Sequence, residues 1–190
     1  MTGRFIAIVG PSGVGKDSVM QAAAGRTPRL VLARRVITRP STAGGEDFGG
    51  ASLSNFEARV AAGEFAIHWE AHGLRYGIPA SIDAALAEGH DVLANLSRSM
   101  IQTAQARFAR SEVILLTADP DVLAARLRMR GREDEADIAR RLKRANFSVP
   151  ACARARIIDN SGTLKQAVDA VVNHLYPPHL TTRGDALRTH

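Results

Sequence analysis

A lysine set directly after a glycine-rich turn, between a strand and a helix, is a device for holding phosphate. The run Gly10-Pro11-Ser12-Gly13-Val14-Gly15-Lys16-Asp17-Ser18 has that form. It follows the apolar stretch Phe5 to Val9 and precedes a helix-like segment, Val19 to Ala24. Glycines at positions 10, 13 and 15 let the backbone approach an anion without Cβ clashes. Their N–H groups and the helix N-terminus supply positive potential, and Lys16 reaches the outer phosphates as a point charge. The pattern G-x-x-x-x-G-K is complete. The hydroxyl residue expected next, as a Mg²⁺ ligand, is replaced by Asp17, with Ser18 one place later. Asp17 is either a metal partner or an acid favoured by the helix dipole, and the sequence leaves both readings open.

Composition fits a phosphate-handling enzyme without demanding one. At 190 residues the chain suits one domain with a sizeable core. Hydrophobic residues at 45% and charged residues at 23% match globular averages, so neither disorder nor a fibrous class is indicated. The formal charge is +6, from 25 basic and 19 acidic residues. Only Lys16, Lys143 and Lys165 are lysines; the other basic residues are arginines, whose planar fork matches phosphate and carboxylate. Aromatic residues are only 5%, with no arginine–aromatic platform visible, so a small phosphorylated ligand is expected rather than nucleic acid. Cys152 is the sole cysteine, which excludes an internal disulfide and a cysteine metal cluster and fits a reducing, cytoplasmic setting. Phe5 to Val9 reads as a first strand rather than a signal peptide, and no run approaches a membrane span.

The elements that must position the lysine follow in order. A helix is expected from Lys16 to Ala24, stopped by Gly25 as a C′ glycine. Leu30 to Thr38 reads as one strand, and Ser41 to Gly50 as a polar loop. Ser54-Asn55-Phe56-Glu57 reads as a capping box opening a helix that closes at Gly63. Glu64 to Ala71 and Leu74 to Ile78 form a hairpin about His72-Gly73, ended by Pro79. Helices over Ser81–Glu88 and Arg98–Phe108 alternate with buried strands at Asp91–Leu96 and Val113–Thr117. Asp119-Pro120 starts a helix through Arg128, and another covers Ala136 to Phe147. Ala155 to Ile158 is a last strand. Thr163-Leu164-Lys165-Gln166 caps a helix whose apolar set is Leu164, Ala167, Val168, Val171, Val172 and Leu175. Short buried strands alternating with helices predict an α/β fold with a parallel sheet flanked by helices. The hairpin region breaks the alternation and reads as an insertion over the carboxyl edge of the sheet, where such folds bind ligands.

These residues bear a family resemblance. Gly10 to Lys16, Thr38-Arg39-Pro40, Ala62-Gly63-Glu64-Phe65, Tyr76-Gly77, Arg126 to Gly131 and Arg140-Arg141-Leu142 resemble the guanylate kinase family over nearly the whole chain up to about Tyr176. More narrowly, Lys16-Asp17-Ser18, Ile37-Thr38-Arg39 and His72 to Gly77 look like the ribose 1,5-bisphosphate phosphokinases, guanylate-kinase relatives of phosphonate degradation. The resemblance implies a P-loop nucleoside-monophosphate-kinase-like fold in one domain, 1–176, with a tail at 177–190. The core would be 1–38 and 80–176, the substrate-binding insertion about 39–79, and an arginine-bearing lid about 129–145. It implies transfer of the ATP γ-phosphate to ribose 1,5-bisphosphate, giving 5-phosphoribosyl 1-diphosphate and ADP, with Mg²⁺.

Departures from guanylate kinases favour the narrower resemblance. In those enzymes a Glu after the Gly-Glu-Phe stretch and a Ser or Thr after Tyr-Gly read the guanine edge; here Ile67 and Ile78 stand there. Asn95 and Ser97 replace an acidic pair, and a second arginine soon after Arg39 is missing. A guanine pocket without polar partners would leave the base's groups unpaired. By resemblance, Gly10 to Ser18 hold ATP, Lys16 neutralises the moving phosphoryl group, and Arg130, Arg132 and Arg141 are lid arginines. Arg39, His72, Arg75, Tyr76 and Arg98 are expected at the substrate, and Asp17 and Ser18 at the metal. Asp159-Asn160-Ser161 resembles the adenine-contacting turn, or is an ordinary turn. Arg128, Arg140 and Arg144 read as solvated helix faces. Guanylate kinase itself, and an inactive guanylate-kinase-like binding module, are the competing readings. Oligomeric state is open, a homodimer included.

Overall fold

The computed structural model describes residues 2–40, 47–131, 134–143 and 154–177. At its centre lies β1 (Phe5–Val9), buried along its whole length. It pairs in parallel with β7 (Asp91–Asn95) on one side and β8 (Ser111–Thr117) on the other. β2 (Leu30–Leu32) and β9 (Ala155–Asp159) complete an all-parallel sheet of order β2-β7-β1-β8-β9. Strand alternation divides the core in two. Ile6 and Ile8 face α1 (Lys16–Ala24) and α7 (Leu164–Leu175); Phe5, Ala7 and Val9 face α4 (Ile101–Arg107) and a second sheet. Both faces are covered, which is why these strands are apolar throughout.

The second sheet is smaller and mixed, of order β4-β3-β6-β5. Its members are β3 (Val36–Ile37), β4 (Gly49–Gly50), β5 (Phe65–Ala71) and β6 (Leu74–Pro79). The β5–β6 hairpin closes through His72 and Gly73, whose φ angles of 54° and 71° give the paired left-handed turn that matches strand twist. α2 (Leu53–Ala61) packs on this hairpin, with Phe56 stacked on Phe65 at 4.7 Å. α3 (Ile82–Ala87) leads back to the main sheet. α5 (Pro120–Arg130) and α6 (Glu135–Lys143) pack through Ala124, Leu127 and Ile138.

Several expectations need correction. The single strand over Leu30–Thr38 is two strands in different sheets, broken at 33–35 because Ala33 N–H turns to Leu93 O in the first sheet while Arg35 O accepts from Gly49 N–H in the second. The second sheet thus begins at Val36. The cap of α2 is Ser52, not Ser54: Ser52 Oγ accepts from Asn55 N–H at 3.2 Å. Gly25 keeps right-handed helical angles and is no left-handed C′ glycine. Arg98–Met100 is a 3₁₀ turn before α4. Asp119 precedes Pro120 as expected, but its side chain makes no capping bond. The Thr163–Gln166 box forms in full, although Leu164 is exposed. Residues 144–147 of the expected helix, with Arg132, Arg144 and Cys152, lie outside the described residues.

Candidate active site

The phosphate loop leaves the carboxyl end of β1. Gly10 and Gly15 are obligatory there: their φ angles are 154° and 90°. A Cβ on Gly10 would stand 2.5 Å from the Leu116 carbonyl oxygen, and one on Gly15 2.8 Å from Asn160 Nδ2. Gly13 also has positive φ, while Pro11 and Val14 are buried and anchor the loop. Gly15 is the N-cap of α1 and no side chain caps that helix, so its first-turn N–H groups are offered to an anion. Lys16 Nζ donates to the carbonyls of Gly10 at 2.8 Å and Pro11 at 3.0 Å, which lays the ammonium across the loop.

Two side chains brace the loop from outside. Asn160, after β9, donates from Nδ2 to Val14 O at 2.7 Å, and its N–H bonds Thr117 O. Asn160 Oδ1 is buried and accepts nothing, so one acceptor beside the loop remains for a donor. Arg141, on α6, donates from Nη1 to Ser12 Oγ at 2.9 Å. A helix far along the chain therefore delivers a guanidinium directly to the phosphate loop. Arg130 sits exposed at the end of α5. Arg128 holds Glu135 bidentately, at 2.7 and 3.0 Å, and ties α5 to α6 at the surface.

Asp17 and Ser18 part company. Asp17 is half-buried and accepts from Asn95 Nδ2 at 2.9 Å, whereas Ser18 is exposed. Asp17 and Asn95 border a small cavity of about 60 Å³ with Arg34, Arg35 and Asp47. Among the described residues no group of three or more His, Cys, Asp or Glu gathers around one point.

The expected substrate residues split between faces. Arg39 stacks over Phe48, 4.4 Å from the ring centre. It lines a cleft of about 750 Å³ with Thr38, Ser52, Glu70 and Arg75. Arg75 lies opposite Glu70 in the hairpin and reaches its carboxylate at 3.3 Å. Tyr76 is the next residue and so points to the other face. It stacks on Trp69 at 5.3 Å and packs against the main core. His72 is exposed on the turn, and Arg98 is exposed on the 3₁₀ turn; neither borders these two cavities. Ile67 and Ile78 are direct cross-strand partners, 3% and 0% exposed, within the same apolar cluster as Trp69.

Comparison with known proteins gives no matching family model. It does find close relatives. The chain is 52% identical over 167 residues to ribose 1,5-bisphosphate phosphokinase PhnN of Ruegeria sp., covering 87% of this chain and 88% of the relative. It is 47% identical over 174 residues to the enzyme of that name from Rhizobium etli, covering 90% and 88%. The chain belongs to the ribose 1,5-bisphosphate phosphokinase family. In three dimensions it resembles guanylate kinase from Anaplasma phagocytophilum, with a TM-score of 0.68 and 18% identity, over 92% of this chain and 85% of that one. The fold is therefore guanylate-kinase-like, a mostly parallel sheet flanked by helices, as the resemblance implied. As a member of the phosphokinase family the chain is a kinase.

Sequence reading missed Arg35 and Phe48. Arg35 is 8% exposed, donates from Nη1 to Asn95 O at 3.0 Å, and lies over the Tyr76 ring at 5.6 Å. The available signal was the adjacent pair Arg34-Arg35 inside the stretch Leu30 to Thr38, which reads as one strand. Nothing local marks Phe48 as the platform beneath Arg39.

Proposed function

We propose that this kinase transfers the γ-phosphate of ATP to the 1-phosphate of ribose 1,5-bisphosphate, in the cytoplasm, supplying phosphoribosyl diphosphate during phosphonate use. An oxygen of the 1-phosphate attacks the γ-phosphorus. The bond from that phosphorus to the β-bridging oxygen breaks, its electron pair leaves with ADP, and a new diphosphate linkage forms. The nucleophile is already ionised near neutral pH, so positioning and charge neutralisation are required rather than a general base. Lys16 and the loop N–H groups hold the transferring group, and Arg141 closes over it from α6. The buried, donor-free Asn160 Oδ1 fits a donor from the nucleotide. Mg²⁺, when bound, neutralises phosphate charge; the carboxylate available to hold it in the cradle is Asp17, oriented by Asn95.

The observation that carries the acceptor assignment is the Ile67–Ile78 pair. Two polar residues facing each other across a hairpin could hold a base edge. Two isoleucines at those places, buried together against Trp69, offer a base no hydrogen bond and leave its polar groups unpaired. A sugar bisphosphate makes no such demand.

A coupled ADP-release assay with Mg-ATP, offering ribose 1,5-bisphosphate and GMP side by side, tests the reading. Turnover with the sugar bisphosphate and none with GMP is expected. Turnover with GMP would overturn the argument from the two isoleucines. Inactivity with both, in folded protein that binds ATP, would point to a binding module.

A further inference from the structure

We propose that Ser161 is a positioning residue for phosphoryl transfer: its hydroxyl fixes the start of α5, and through α5 and α6 it sets where Arg141 meets the phosphate loop. The inference rests on the reaction proposed above and adds to it a residue outside the loop and outside both arginine-bearing helices.

Three observations support it. The first is how firmly the hydroxyl is aimed. Ser161 follows β9, in a turn closed by the Asp159 carboxylate. Asp159 Oδ1 accepts from the Ser161 N–H at 3.2 Å and from the Ser161 hydroxyl at 2.7 Å. With its proton committed to Asp159, the Ser161 oxygen acts toward other groups as an acceptor. It takes the backbone N–H of Asp119 at 2.8 Å. Asp119 is the N-cap of α5, and its own side chain makes no capping bond. The start of the helix is therefore tied to the turn after β9 by a side chain 42 residues along the chain.

The second is what else that turn holds. Asn160, the preceding residue, donates from Nδ2 to Val14 O in the phosphate loop, and its N–H bonds Thr117 O at the end of β8. One turn thus grips the loop through Asn160 and the helix through Ser161.

The third is the lack of slack between α5 and the loop. A Cβ on Gly13 would stand 3.2 Å from Leu127 Cγ and 3.6 Å from the Leu123 carbonyl oxygen. Leu127 also packs with Ala124 and Ile138, which joins α5 to α6. α6 carries Arg141, whose Nη1 donates to Ser12 Oγ at 2.9 Å. Close-packed elements transmit a shift rather than absorb it. A change in the seat of α5 thus reaches the guanidinium, and a charge aimed at a transferring phosphoryl group loses effect steeply when misplaced.

Steady-state kinetics with Mg-ATP and ribose 1,5-bisphosphate test this on wild type, Ser161→Ala, Ser161→Thr, Arg141→Met and the Ser161→Ala/Arg141→Met double variant. Ser161→Ala should lower kcat by about 5- to 10-fold and leave both KM values within about 2-fold, because the contact serves transfer and not substrate holding. Ser161→Thr keeps the accepting oxygen and should retain more than about half of the wild-type kcat. On the Arg141→Met background the alanine substitution should cost less than about 2-fold, since residues that act through one another are not additive. The urea midpoint of Ser161→Ala should lie within about 0.5 M of wild type, so that the rate loss is not unfolding. An unchanged kcat in Ser161→Ala overturns the inference. So does a full loss repeated on the Arg141→Met background, a threonine variant no better than alanine, or a larger midpoint shift. A raised KM for ATP with kcat unchanged would assign Ser161 to nucleotide binding and overturns it as well. If wild type phosphorylates GMP and not the sugar bisphosphate, the acceptor reading falls, and the same comparison with GMP decides this inference. Wild type inactive with both overturns both.

Discussion

The protein has two tyrosines, each beneath arginine, and these two clusters meet opposite ends of one strand of the main sheet. Strand β7 links them, with Asp91 at its start and Asn95 at its end. At the amino end, Tyr176 lies under Arg4 and Arg29, each 5.5 Å from the ring centre. There the charges satisfy one another. Arg4 donates to Asp91 through its backbone N–H and through Nη2, each at 2.7 Å; the Tyr176 hydroxyl donates to the same carboxylate at 2.8 Å. Arg4 also reaches Glu112 at 3.2 Å, and Glu112 holds His174. Asp91 is 2% exposed. At the carboxyl end, Tyr76 lies under Arg35, whose Nη1 donates to the Asn95 carbonyl, and Arg35 borders the smaller cavity. The same residue types form a buried carboxylate clamp at one end and border a small cavity at the other. In a parallel sheet the difference follows from strand direction: loops that leave the carboxyl ends diverge and make a crevice, whereas the amino ends are closed by packing.

If that contrast is right, removing charge from the open end should cost activity and little stability. Lys16→Met gives the largest effect. Loss of a preorganised charge aimed at the transferring phosphoryl group should lower kcat by about 10³-fold. Urea unfolding should change by less than about 1 kcal/mol, since the Gly10 and Pro11 carbonyls that Lys16 bonds lie within its own loop and tie no other element of the fold to it. A fall in kcat below about ten-fold would mean that the cradle does its work through backbone N–H groups alone.

The open end was legible in part, and the reason is physical. The phosphate loop is contiguous, and its glycines are forced by backbone geometry: Gly10 and Gly15 meet Leu116 and Asn160 at distances that admit no Cβ. A local constraint leaves a local pattern. The parallel sheet was legible for the same reason, because strands buried on both faces read as apolar runs. The surroundings of Arg35 are built differently. Arg35, Tyr76 and Asn95 come from three segments, and only their assembly shows one guanidinium held between a ring and a carbonyl. The break at 33–35 was hidden because Leu30 to Ile37 satisfies one strand pattern while belonging to two sheets. Alternation along β6 was readable in principle, and it separates Arg75 from Tyr76, which sequence reading had grouped at one substrate. The amino-end clamp left no pattern, since Arg4, Asp91 and Tyr176 are far apart in the chain.

A middle-sized effect should come from Asp17→Asn. The substitution keeps shape and can still accept the Asn95 amide, so it isolates charge. If Asp17 supplies charge to Mg²⁺, the Mg²⁺ concentration for half-maximal rate should rise about ten-fold, one ligand's share of affinity. An unchanged Mg²⁺ titration would instead make Asp17 an acid that favours the start of α1. That role would show as a stability loss of about 0.5 kcal/mol.

The smallest effect belongs to the sealed end, and pH makes it specific. Burial, then the bond to Asp91, pushes the Tyr176 phenol up to about 12. A phenol whose folded pKa lies above its unfolded value of about 10 contributes stability that is complete below pH 10 and is lost as pH rises toward 12. Asp91 runs the other way. Burial alone would raise its carboxyl, but the bonds from Arg4 and Tyr176 outweigh burial and hold it below the ordinary carboxylate range. Its contribution is present above the unfolded value and is lost as pH falls through the folded one. Tyr176→Phe should therefore lower stability at pH 7 by about 1 kcal/mol, the net worth of one hydrogen bond. It should flatten the stability profile above pH 10 and keep most of the acid limb, because Arg4 still holds Asp91. Urea unfolding at several pH values, with kcat and KM measured alongside, checks this. Unchanged kinetics with a lost alkaline limb would set Tyr176 apart from Tyr76 as a purely structural ring. A shift in substrate KM would break the division between the two ends of the sheet.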